Sequence, residues 1–146
     1  MKTLIKNGTL VTAESSFQAD LLIEGEHIIQ IAPSIEAADA EVVDASGQLV
    51  LPGGIDAHVH INLPMGETVS SDDYYTGSKA AAFGGTTTLI DFVSQDPGSL
   101  AENVAHKRAE AEGKAAIDYS LHMNITRFDE AVAEELADLP SLGIRS

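Results

Sequence analysis

The chemistry in this sequence is concentrated in one short segment, Gly53-Gly54-Ile55-Asp56-Ala57-His58-Val59-His60. An extended backbone sends alternate residues to opposite faces, so Asp56, His58 and His60 share one side while Ile55, Ala57, Val59 and Ile61 take the other. Two imidazoles at that spacing stand about 7 Å apart at Cα, since a strand rises about 3.3 Å per residue. Their ring nitrogens can converge on one ion at the ~2.0–2.1 Å that zinc prefers. His58 and His60 are therefore candidate metal ligands, and Asp56 is a candidate for orienting an imidazole through its N–H. Two other readings fit the same residues: a polar, exposed strand face, and an Asp56 carboxylate bonded to backbone.

The elements around the segment sharpen the choice. After Pro52-Gly53-Gly54, strand-like and helix-like runs alternate, as they do in β/α units that carry a parallel sheet. Strands are predicted over Gly54–Ile61, Thr86–Val93 and Ile117–Ile125. Helices are predicted over Ser71–Phe83 (Ser70 or Ser71 as cap), Ser99–Gly113 (capping box Ser99 and Glu102) and Thr126–Leu139 (Thr126 as cap, Pro140 as stop). Gly143–Ser146 reads as the opening of a fourth strand. A histidine pair ending the first strand of such a series falls at the carboxyl edge, where barrel active sites are built. Residues 1–51 read differently, as short strands in three hairpins turning at Asn7-Gly8, Gly25-Glu26 and Ala45-Ser46-Gly47. The chain thus divides into a β module, 1–51, and an α/β part, 52–146. A strand that stops after four residues leaves its ladder groups unpaired, so the expectation is a chain that ends part-way through a larger fold.

Composition bounds the partners. The chain has 146 residues, 44% of them hydrophobic and 21% charged, an ordinary globular balance. No apolar run approaches the ~18 residues of a membrane-spanning helix, and the N-terminus lacks the apolar core of a secretory signal. With no cysteine there is no disulfide framework, thiolate site or cysteine nucleophile. A net charge of −15 repels phosphate backbones and anionic membranes, which argues against both as partners. A soluble, cytoplasmic enzyme or binding module is expected.

Several further residues carry plainer expectations. His122, on the third strand, reads as a packed or hydrogen-bonded core histidine, and His27 and His106 as solvated. Gly84-Gly85-Thr86-Thr87-Thr88 lacks the lysine and following helix of a phosphate loop and reads as a helix stop and strand start. Glu130, Glu134, Glu135 and Asp138 read as a solvated helix face.

LPGGIDAHVH resembles the signature of the amidohydrolase superfamily, in which His-x-His ends the first barrel strand and binds a divalent metal. MGETVSSDDYYTGSKAAAFGGTTTLIDFVSQ and IDYSLHMNIT resemble the dihydropyrimidinase and D-hydantoinase branch, and the likeness runs over essentially the whole chain. The resemblance implies the start of a (β/α)8 TIM-type barrel, preceded by part of a small β-sandwich. It implies hydrolysis of the ring amide of hydantoins or dihydropyrimidines to N-carbamoyl amino acids, in a homotetramer. It also implies two divalent metals, most often zinc, bridged by a carboxylated lysine on the fourth strand, just past Ser146. Of that machinery only His58 and His60 match positions here, and no catalytic residue is assigned. Lys2, Lys6, Lys79, Lys107 and Lys114 do not fall at the lysine's position, so the 146 residues alone are expected to be inactive. The loop Asn62–Ser71 corresponds to one that selects the ring substituent, which makes Leu63 and Met65 candidate substrate contacts. Dihydroorotase-like enzymes carry an arginine where this chain has Asn62, and allantoinase-like ones end the second strand in Met-Pro where this chain has Asp91-Phe92-Val93. Allantoin-type ureides therefore rank second as substrates. A non-catalytic homologue serving assembly is a further alternative, against which the retained histidine pair counts.

Overall fold

The computed structural model describes residues 1–146, which form two compact units, Met1–Pro52 and Gly53–Ser146. The first is a five-stranded mixed sheet. Its strands are β1 (Lys2–Val11), β2 (Ser16–Glu24), β3 (His27–Ala32), β4 (Ala40–Asp44) and β5 (Leu49–Val50). The order is β3-β2-β1-β4, with β5 also on β1; β2 is antiparallel to β1 and β3, whereas β4 and β5 run parallel to β1. Leu4, Leu22 and Ile35 form one buried cluster and Leu10, Ala19 and Leu21 another.

Of the three expected hairpins only the one at Gly25-Glu26 forms, with Glu24 paired to His27 and Gly25 at φ +60°. Asn7-Gly8 does not reverse the chain. It makes a bulge inside one continuous strand, where the register slips between Ile5 and Gly8 and Asn7 adopts φ +62°. Asp20, on the neighbouring strand, accepts the freed Asn7 N–H at 2.9 Å and the Ile35 N–H at 2.9 Å. These two donors hold its carboxyl below the usual aspartate range. The reversal lies instead at Thr12–Ser15, closed by a 2.9 Å bond from Thr12 N–H to Ser15 O and by the Thr12 hydroxyl, so it needs no glycine. Ala45-Ser46-Gly47 likewise joins no hairpin. It is a side-step between β4 and β5, which lie along the same edge of β1.

The second unit is a parallel sheet with helices on one face. Its elements are β6 (Gly54–Val59), β7 (Pro64–Met65), β8 (Thr68–Val69), α1 (Tyr74–Phe83), β9 (Thr86–Ser94), α2 (Leu100–Ala111), β10 (Asp118–Asn124), α3 (Glu130–Leu136) and a 3-10 turn (Leu139–Leu142). The sheet order is β10-β9-β6, all parallel, and β7 and β8 form a small antiparallel pair within the 62–71 loop, where no strand was expected. Two predicted helix starts move. The α1 cap is Asp73, in a capping box with Thr76, because the Ser70 hydroxyl is taken by the Leu63 N–H. The α3 cap is Asp129, because Gln95 Oε1 already holds the Thr126 and Arg127 N–H groups. That helix ends at Leu136, and Pro140 falls in the 3-10 turn. Residues 144–146 form no strand, although Met123 N–H donates to Ser146 O at 2.9 Å.

Period-two alternation along β9 and β10 divides this sheet. Leu89, Asp91 and Val93, with Leu121 and Met123, are buried. Val93, Leu121 and Met123 pack with Leu100, Val104, Val132, Leu139 and Ile144, while Leu89 joins Ile61, Tyr74 and Ala111. The intervening Ile90, Phe92 and His122 are only half-buried. Gly53 is required where the chain enters β6, since a Cβ there would lie 2.1 Å from Thr87 Oγ1.

Candidate metal centre

His58 lies near the carboxyl end of β6 and His60 just beyond it, both exposed on the open side of the sheet. Their rings meet edge to face with centroids 5.1 Å apart. Phe92 of β9 supports both, its ring 4.6 Å from His58 and 5.0 Å from His60, and His122 of β10 lies 5.0 Å from Phe92 on the far side. None of the four ring nitrogens of His58 and His60 has a hydrogen-bond partner in the chain, whereas both nitrogens of His122 do. Two free imidazoles held by an aromatic platform suit a borderline-soft divalent cation such as zinc. They are two donors, however, and the chain places no group of three or more His, Cys, Asp or Glu around one ion.

Asp56 takes the second of its two sequence readings, its carboxylate accepting the His58 backbone N–H at 3.2 Å. The strict alternation expected of this strand is broken. Asp56 pairs with Leu89 and Val59 with Asp91, so Ala57 and His58 together oppose Ile90. This extra residue leaves Ile55 and Ala57 exposed, while Val59 is half-buried and Ile61 buried.

Beyond His60 the chain turns at Asn62, φ +53°, and a cavity of about 700 Å³ opens. His60, Leu63 and Phe92 line it, together with Asn103, His106 and Glu110 of α2. Met65 on β7 is 55% exposed and lies outside that lining. Asn62 donates to Glu110 Oε2 at 3.3 Å, so one wall is tied to the other.

Behind the histidines, on the helix face, sits a buried ionic network that pattern reading missed. Asp91 is 1% exposed and accepts the Tyr74 hydroxyl at 2.8 Å, with Lys107 Nζ at 3.1 Å. Lys107 also donates to the Ile61 carbonyl at 2.6 Å, and Asp91 takes the Ile61 N–H at 3.4 Å. The residue after His60 is thereby fixed through both backbone groups. Burial, then the bond to Asp91, push the Tyr74 phenol well above its ordinary range. Phe92 was also missed as part of the site. His122 is hydrogen-bonded through both ring nitrogens, as expected from the alternation of Asp118, Ser120, His122 and Asn124 against Tyr119, Leu121 and Met123.

Residues 49–140 match the amidohydrolase family. The chain belongs to that family. It is 47% identical over 137 residues to a D-hydantoinase of Geobacillus stearothermophilus, covering 93% of this chain and 29% of that protein. A D-hydantoinase of Ralstonia pickettii is 47% identical over 147 residues, 100% of this chain and 32% of that one. Among solved structures, the dihydropyrimidinase from Brevibacillus agri NCHU1002 superposes with a TM-score of 0.95 at 48% identity, over 99% of this chain and 32% of its own. The chain thus spans about a third of the length of the relatives it matches.

Proposed function

We propose that this chain carries the first metal-binding strand of a cyclic-amide hydrolase that opens hydantoin or dihydropyrimidine rings to N-carbamoyl amino acids. The observation that carries the reading is the pair His58 and His60, their rings in contact and their ring nitrogens without hydrogen-bond partners, with His60 on the wall of a cavity of about 700 Å³. The names of the relatives, D-hydantoinase and dihydropyrimidinase, support the substrate class. In this reading the β/α units of 53–146 begin a barrel. The first unit is part of a β-sandwich, which its exposed Ile29, Ile31, Val42 and Val43 support.

His58 and His60 would hold a divalent metal, zinc by donor type, in a two-metal site. Such a metal polarises the ring carbonyl and lowers the pKa of bound water. Phe92 fixes the ring planes of both histidines, and the Asp91–Lys107 pair fixes the backbone that follows them. Leu63 presents an apolar wall to the ring substituent, and Asn62 offers no cation for a substrate carboxylate. Lys107 is committed to Asp91, Glu110 and the Ile61 carbonyl, which argues against its becoming a bridging carbamate. The remaining donors, that carbamate included, belong in this reading to sequence that the relatives have and these 146 residues lack. Assembly as a tetramer and residence in the cytoplasm complete the proposal; absence of cysteine fits the latter.

The test uses the protein at its native length, loaded with zinc and offered dihydrouracil, hydantoin and allantoin in parallel. Ring opening of the first two, lost in His58→Ala and His60→Ala, is expected. Turnover of allantoin alone would move the assignment to ureides. Metal-independent turnover, or none with any ring, would overturn it.

A further inference from the structure

The bulge in β6 is met by His122, which reaches the Ala57 carbonyl. Because Ala57 and His58 together oppose Ile90, neither has a paired residue on β9. Bulges beside active sites re-aim side chains, and here the re-aimed residue is His58 itself. The Ala57 carbonyl, one residue before His58, is met by His122 Nε2 at 3.0 Å, reaching over Phe92 from β10. A carbonyl only accepts, so Nε2 carries the proton. Nδ1 of His122 then accepts from the Ser146 hydroxyl at 2.6 Å. The ring is therefore held from both ends in one tautomer, with Phe92 between it and the metal-binding pair.

We infer that His122 is a positioning residue: its Nε2–H clamps the Ala57 carbonyl, holds the β6 bulge in place and so aims His58 at the metal. It is not itself a ligand, since both of its nitrogens are engaged away from the pair. The inference rests on the hydrolase reading for the metal but not for the clamp. A glutamine at this position keeps a donor near Nε2, whereas an asparagine reaches only as far as Nδ1.

The test compares wild type, His122→Gln and His122→Asn at native length, by zinc competition titration, the visible spectrum of the cobalt-loaded protein and nitrogen-15 imidazole spectra. His122→Gln should keep the wild-type affinity and cobalt spectrum. His122→Asn should lose roughly 10- to 100-fold in affinity, the range for removing a partner that orients a ligand, and should change the cobalt spectrum with little change in Tm. A purely structural histidine would lower Tm in both variants and leave the spectrum of the loaded protein alone. Wild-type affinity and spectrum in His122→Asn, or an Nδ1–H tautomer for His122, would overturn the inference. A wild-type protein that binds no metal while His122 still shows Nε2–H would overturn the hydrolase reading, and the aiming role with it.

Discussion

The two faces of the β10-β9-β6 sheet are built from alternate residues of the same strands, yet they do opposite work. On the helix face, Leu89, Asp91, Val93, Leu121 and Met123 are buried, and every polar group among them is bonded. On the open face, His58 and His60 are exposed and their ring nitrogens have no partner. Stability is thus invested on one side and unsatisfied donor capacity kept on the other. Residues that are free to bind a metal contribute little to folding, and residues that hold the fold are not free to bind.

Substitutions on the two faces should separate these properties. The largest effect is expected from His58→Ala or His60→Ala, which should abolish metal uptake and metal-dependent turnover. Because both side chains are exposed, unfolding free energy should stay within about 0.5 kcal/mol of wild type by denaturant titration. A large loss of stability would break the division. On the other face Lys107→Met should remove the cation paired with buried Asp91, losing about 3–5 kcal/mol. The position of the Ile61 backbone should loosen with it, readable as faster hydrogen exchange there. Leu121→Ala, in the same layer, should lose about 2–5 kcal/mol and leave metal stoichiometry unchanged.

The smallest effect concerns pH. Tyr74 is fully buried against Asp91 and its pKa is raised, so the folded state retains a proton that the unfolded chain releases near pH 10. Stability from this group is whole below pH 10 and declines as pH rises through and beyond it. Ultraviolet titration of wild type against Tyr74→Phe should show that the Tyr74 phenol of the folded protein is still protonated above pH 10. Ionisation of Tyr74 at or below pH 10 would contradict the buried pairing, and Tyr74→Phe should flatten the alkaline decline.

Much of this was legible in residue order where one local rule dominated. The capping box of Ser99 and Glu102, the stop at Gly84-Gly85 and the pattern of Thr86–Ser94 depend on neighbours in sequence. The histidine pair was legible for the same reason. What sequence could not supply were partners distant in the chain. Asn7-Gly8 carries the strongest short hairpin signal, but Asp20, thirteen residues away, turns it into a bulge. Thr126 was a sound cap until Gln95 occupied its backbone from another strand end. The bulge that breaks alternation at Ala57, and the His122 ring that meets it, depend on the register between β6 and β9 and on a reach of 65 residues. Period-two reasoning placed Asp56 beside the histidines, but its carboxylate closes on the nearest backbone N–H.

In the proposed site one divalent cation sits between the rings of His58 and His60. Anomalous diffraction at the zinc edge, on crystals of the zinc-loaded protein at native length, tests it most directly. A peak bonded to a ring nitrogen of each histidine at the ~2.0–2.1 Å of zinc–imidazole bonds is expected. A catalytically active crystal whose only peaks lie away from this pair would contradict it.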